Sequence, residues 1–170
     1  NSTGVPAPGN GTNIGHFLDL QSNMDVYDFF RAWHKGTADS IIHFGNLIKQ
    51  NYPNKLTGAF YGSAGSVKFH AFGQIGSVTD ILNSGAVDFL ASPGVYENRQ
   101  PGGFTGQRQF FDSFRLKNRM FIVEEDARTH MENRYYRHYF EIYNIDDTRN
   151  VLKREFGKTI CEDVHGWWFD

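Results

Sequence analysis

Four short apolar runs set the terms on which this chain can fold. They are LTGAFYGSAG at 56–65, AVDFLASP at 86–93, MFIVE at 120–124 and GWWFD at 166–170. Each of the first three passes into a polar or glycine-rich stretch and then into a segment with helical periodicity. Runs of that length suit buried strands, and the alternation with helical patterns points to β/α units around parallel strands. Strands are therefore expected near 56–61, 86–91, 119–124 and 166–170. At this level the pattern fits a doubly wound sheet or a piece of a barrel. GSAGS at 62–66 has neither the G-x-G-x-x-G spacing nor a Lys-Ser/Thr ending, which argues against a phosphate-binding loop.

The helical segments are uneven in length. From Asp25, residues Val26, Phe30, Trp33, Ile41, Phe44 and Ile48 recur near one face, widened by Phe29 and Ile42. They predict one long helix over about 25–50 that covers the sheet through Phe30, Trp33, Ile41 and Phe44, despite Gly36 and Gly45. Ser77 with Asp80 suggests a capped short helix. Phe110, Phe111, Phe114 and Leu116 suggest another, and Asp146 or Asp147 is the expected cap of a helix carrying Val151, Leu152 and Phe156. Residues 1–24, rich in Gly, Pro and Asn at the start, read as loop.

Composition closes off several functions. Lys+Arg 17 against Asp+Glu 19 gives a net charge of −2, without the basic surplus that nucleic-acid binding needs. No run approaches the ~20 apolar residues of a membrane helix, so no membrane partner is expected. The single cysteine, Cys161, permits no internal disulfide and cannot anchor a zinc cluster. No cofactor is implied. A small α/β hydrolase is disfavoured because there is no G-x-S-x-G elbow.

Polar residues gather just after the strand ends, where β/α enzymes place their chemistry. They are Tyr61 and His70, then Ser92, Tyr96 and Arg99, then Glu124, Glu125, Asp126, Arg128 and His130, and finally Trp167, Trp168 and Asp170. Strand alternation puts Glu124 and Asp126 on one face, with Arg128 joining them, and Glu125 on the other. An arginine beside carboxylates keeps them ionised, which suits an anionic nucleophile and equally an ion-pair network closing a strand. Asp126, His130 and Glu132 are spaced closely enough to be weighed as metal ligands, a reading that acidic loops often invite by chance. Carboxylates, arginine and aromatic faces together suit sugar recognition.

Two blocks then carry a resemblance. VDFLASPGVYENRQPGGFTG at 87–106 and SFRLKNRMFIVEEDARTH at 113–130, followed by LKREFG at 152–157 and GWWFD at 166–170, are similar to the catalytic barrels of β-galactosidase-like glycoside hydrolases close to family 42. The similarity runs from about Phe17 to Asp170. It implies a partial (β/α)8 TIM barrel, strands five to eight, with residues 1–24 as the loop region after the fourth strand and 25–170 as the C-terminal half. It implies a retaining β-glycosidase in which Glu124 is the nucleophile, and in which His70, Ser92, Tyr96, Arg99, Asp126, Arg128 and Trp168 bind the sugar or hold the nucleophile. The acid/base glutamate would lie upstream of Asn1, in a missing N-terminal half that becomes the expected partner alongside a β-galactoside-like carbohydrate. Homo-oligomerisation of a full-length parent is left open. The alternative is a non-catalytic carbohydrate-binding or structural relative. Departures from the pattern are Lys117-Asn118-Arg119 before the seventh strand, Glu125 in place of a smaller residue, and Phe69-His70 in place of Gly-His.

Overall fold

The computed structural model describes residues 21, 24–62, 76–106 and 110–169. Along the chain these form α1 (Met24–Asn51), β1 (Gly58–Phe60), α2 (Val78–Ser84), β2 (Phe89–Pro93) and α3 (Phe111–Leu116). Then come β3 (Met120–Glu125), α4 (Arg134–Phe140), α5 (Ile145–Cys161) and β4 (His165–Trp168). The four strands make one sheet in the order β1-β2-β3-β4, every pair parallel. The α/β class, the parallel sheet and the sequential strand order agree with the expectation from sequence. No described helix is long and apolar enough to cross a membrane.

The two faces of the sheet differ. Leu90, Phe121 and Val123, with Tyr61 just past β1, pack against Ala38 of α1, Ile81 and Leu82 of α2, and Phe114 of α3. Phe111 and Phe114 each bring their ring centroids to 5.2 Å from that of Phe121. On the opposite face, the register aligns Phe60, Ala91, Ile122 and His165, and one step further on Pro93, Glu124 and Trp167. Here Phe60 is 54% and Trp167 45% exposed. Three strand spacings of ~4.8 Å separate β1 from β4. The Phe60 and Trp167 rings nevertheless meet at 5.6 Å between centroids. They lean together over the middle strands, which accounts for Ala91 being only 2% exposed on an otherwise open face.

Helix α1 does not sit as its periodicity suggests. Its buried positions are Phe30, Ala38 and Gly45, with Ile41 and Ile42 partly covered, while Trp33 and Phe44 are exposed. Small residues let the helix approach closely: a Cβ on Gly45 would stand 2.6 Å from the Ala86 carbonyl oxygen, whereas one on Gly36 meets nothing within 4 Å. The two glycines should therefore respond oppositely to alanine. Gly36→Ala should stabilise by about 0.5–1 kcal/mol through propensity. Gly45→Ala should destabilise by about 1–3 kcal/mol through overpacking against backbone. Urea denaturation of the two single variants checks both signs.

The helix caps also shift from expectation. Ser77 precedes α2 with φ 62 and makes no side-chain cap, so the Ser77–Asp80 box is not formed. Asn144, rather than Asp146 or Asp147, caps α5; its side chain accepts from the Asp146 and Asp147 amides, and Asp147 closes the box. The tyrosine-rich stretch contributes α4, begun by Asn133 accepting from the Tyr136 amide.

Candidate functional site

β2 ends at Pro93, and the chain rises into a loop closed at its base by the Val95 amide donating to the Gly106 carbonyl at 3.0 Å. The loop folds Arg99 back on itself. Its Nε donates to Val95 O at 2.8 Å and Nη2 to Gly94 O at 2.9 Å, which aims Nη1 at Asp126 Oδ1, 2.6 Å away. Arg99 also lies over the Tyr96 ring, 4.2 Å from its centroid, and the Tyr96 hydroxyl donates to Asp126 Oδ2 at 2.8 Å. Both carboxylate oxygens of Asp126 are thereby engaged. Arg99 and Asp126 are buried, so the pair gains geometric definition from its hydrogen bonds as well as from charge.

Glu124 stands beside this cluster at the C-terminal end of β3, on the open face, level with Pro93 and Trp167. Burial and the nearby Asp126 charge push its pKa up, and Arg99 opposes them. Its carboxylate makes no hydrogen bond or ion pair with the described residues. The arrangement is a locked acid–arginine–tyrosine unit next to a half-buried carboxylate that is left available. Such a carboxylate can act on a ligand as nucleophile, base or hydrogen-bond acceptor, according to its protonation.

Of the residues singled out from sequence, Glu124, Tyr96, Arg99 and Asp126 come together. Three others are placed elsewhere. Ser92 is level with Val123 on the helix-covered face, 2% exposed, because strand alternation turns it away from Glu124. Trp168 is level with Glu125, again on the far face; its neighbour Trp167 is the one that shares Glu124's side. Arg128 pairs with Glu132 at 3.0 Å and packs over the Tyr136 ring, since the chain leaves the strand after Glu125 and alternation no longer governs it. Arg99 takes the place expected of Arg128. His70 and Asp170 lie outside the described residues. Phe60 and Arg154 were not singled out from sequence; the adjacent aromatics Phe60 and Tyr61 were the available signal for the first.

The three residues weighed as metal ligands are dispersed among other partners. Asp126 is held by Arg99 and Tyr96, the His130 amide and Nδ1 both lie 2.9 Å from Thr148 Oγ1, and Glu132 meets Arg128. Among the described residues no group of three or more His, Cys, Asp or Glu is placed to hold a metal ion. Asp88 precedes β2 at the opposite end of the sheet. There burial works against its charge, but hydrogen bonds from Lys49 and the Thr57 amide win and hold its pKa down.

Glu125 turns into the seam between β3 and α5, as alternation predicts. Burial and the neighbouring Glu155 push its pKa up to about 7, against the pull of Lys158. Thr159 Oγ1 lies 3.3 Å from Glu125 Oε1 and 2.9 Å from Glu155 O. One hydroxyl proton cannot serve both acceptors, whereas a neutral Glu125 can donate to Thr159 while Thr159 donates to the carbonyl. Because the folded state holds this proton more tightly than the unfolded chain, its contribution is full below about pH 4.5. It is lost as pH rises through about 7. Glu125→Gln should flatten this loss, about 3 kcal/mol at most, and be the more stable protein at pH 8. Stability curves of both proteins between pH 5 and 8 check it.

Comparisons with protein-family models, with curated proteins and with solved structures give no match to this chain.

Proposed function

We propose that the chain is the nucleophile half of a retaining, β-galactosidase-like glycosidase, built as strands five to eight of a (β/α)8 barrel. Glu124 forms a bond from its carboxylate oxygen to the anomeric carbon as the C1–O bond to the leaving group breaks. A glutamic acid from the N-terminal half protonates the departing oxygen, then takes a proton from the water that hydrolyses the glycosyl ester. The two carboxyl groups would stand about 5–5.5 Å apart. Asp126, Arg99 and Tyr96 hold the electrostatic surroundings of Glu124, and Trp167 offers a ring face to the apolar side of a pyranose.

The observation that carries this reading is Glu124 itself: a carboxylate at a parallel-strand C-terminus, on the open face, with no hydrogen-bond or ion-pair partner among the described residues, beside a fully engaged Asp126–Arg99–Tyr96 unit. The sequential parallel order and the helices gathered on one face also suit half a barrel.

Its test is covalent trapping. A 2-deoxy-2-fluoro β-galactoside with a dinitrophenolate leaving group needs no acid, so the missing half is not required for leaving-group departure. Incubated with this chain alone and joined to its upstream half, it should leave a fluorosugar ester on the peptide carrying Glu124. Labelling elsewhere, or turnover by the joined protein without any adduct at 124, would overturn the assignment. Natural glycosides should be poor substrates for the chain alone, since general acid catalysis supplies roughly 10²–10⁴-fold.

A second reading, carbohydrate binding without chemistry, is favoured by one observation: the Phe60–Trp167 pair offers a ring surface that needs no catalyst beside it. Galactose-dependent quenching of tryptophan fluorescence with no adduct in either protein would select it.

A further inference from the structure

Arg154 reaches from α5 into the closed loop that carries Tyr96 and Arg99. Its Nη1 donates to Gln100 O at 2.7 Å and to Gly103 O at 3.0 Å, and its Nη2 to Arg99 O at 3.1 Å. Its Nε donates to Glu155 Oε1 at 2.8 Å, and the same carboxylate oxygen accepts from Thr105 Oγ1 at 3.0 Å. With Nη2 also meeting Glu155, the five donors of the guanidinium are all occupied. The carbonyls it gathers bracket a tight turn, in which the Gly103 amide donates to Gln100 O and Gly102 adopts φ 79. Three backbone carbonyls that converge within five residues need a fork-shaped, permanently charged donor, which a lysine does not supply.

Residue 99 is consequently fixed at both ends. Its carbonyl is held by Arg154, and its guanidinium reaches Asp126. We propose that Arg154 is a positioning residue for the Glu124 site, acting through Arg99: it sets the loop so that the Arg99 guanidinium sits against Asp126 and beside Glu124. What this means for catalysis rests on the reading of Glu124 given above. The placement of charge around Glu124 does not, and it can be measured without any turnover.

The readout is the titration of the Glu124 side-chain carboxyl, followed by carbon-13 NMR in the chain as it stands, with Asp126 and Arg99 the charged groups acting on it. Arg154→Lys keeps a positive charge on α5 but loses the fork. The expected result is that Glu124 titrates at higher pH in Arg154→Lys than in the parent, as Arg99 drifts from its place, and that Arg154→Met moves it the same way. Leu90→Ala, a core substitution on the helix-covered face of β2, controls for loss of stability and should leave the Glu124 titration in place. If Arg154→Lys titrates as the parent does, the proposal is overturned. It is overturned as well if Leu90→Ala produces the same rise, because the effect would then follow stability alone. Thr105→Val, which removes the hydroxyl that donates to Glu155 and accepts from Arg154 Nη2 while leaving the guanidinium itself in place, supplies a milder version of the expected rise should Arg154→Met not fold. The outcome is independent of whether the fluorosugar labels Glu124, so this proposal and the functional one can fail separately.

Discussion

On the glycosidase reading proposed above, Glu124→Gln should abolish glycoside hydrolysis by the chain joined to the proposed upstream half, lowering kcat by on the order of 10⁴–10⁶-fold, the scale of loss when a covalent nucleophile is removed. Glutamine keeps the shape and the register beside Pro93 and Trp167 but cannot form the glycosyl ester. Binding of the sugar should change far less than turnover, because the ring face of Trp167 remains. Steady-state rates with an aryl β-galactoside, set beside fluorescence binding curves, separate the two. A joined protein that keeps full activity with glutamine at 124 would falsify the nucleophile assignment. The acid limb of the parent's pH profile should lie above that of an ordinary glutamate, since burial and Asp126 raise the Glu124 pKa and the reactive form is the ionised one.

Arg99→Ala should be the most damaging substitution for stability, at a cost of about 3–5 kcal/mol, because it strands the buried Asp126 carboxylate without its counter-charge. The Tyr96 hydroxyl alone cannot compensate a buried anion. Replacing both partners, as Arg99→Met with Asp126→Leu, should recover much of the loss, since removal of an entire buried pair is often close to neutral. Urea unfolding of the single and double variants measures the difference. A loss below about 1 kcal/mol for Arg99→Ala would place the pair in the class of surface ion pairs and remove it as the rigid support of the site.

The parts of this molecule that were legible in its sequence are those governed by local periodicity. Four apolar runs of strand length, the first three each followed by a helical pattern, were enough for four parallel strands in sequential order. Alternation within VEE was enough to put Glu124 and Glu125 on opposite faces. What escaped depends on how loops return. Arg99, not Arg128, meets Asp126 because the loop after β2 closes on itself and aims a guanidinium across to β3, and no spacing rule encodes that distance in space. Trp167 and Trp168 could be told apart only once pairing fixed the register of β4 against Glu124 and Glu125. Helix α1 misled for a different reason. Its 28 residues extend about 42 Å, whereas strands of three to six residues offer it only half that length or less, so part of its apolar stripe finds no sheet to cover. Asn144 won the α5 cap from its acidic neighbours because it stands two and three residues before them in extended backbone, where its side chain can reach both of their amides at once.

The meeting of Phe60 and Trp167 has a bearing on how fast this sheet can assemble. The strand ladders join neighbours in the chain, but these rings belong to the first and last strands and reach their native meeting only with β2 and β3 in place between them. Closing so long a loop brings no reward until the intervening pairs have formed, and contacts of that kind slow folding. Trp167 is therefore a natural clock for the final stage. Its emission should settle in the slowest refolding phase, after the circular dichroism of the helices has recovered, and Phe60→Leu should shorten the delay between the two signals.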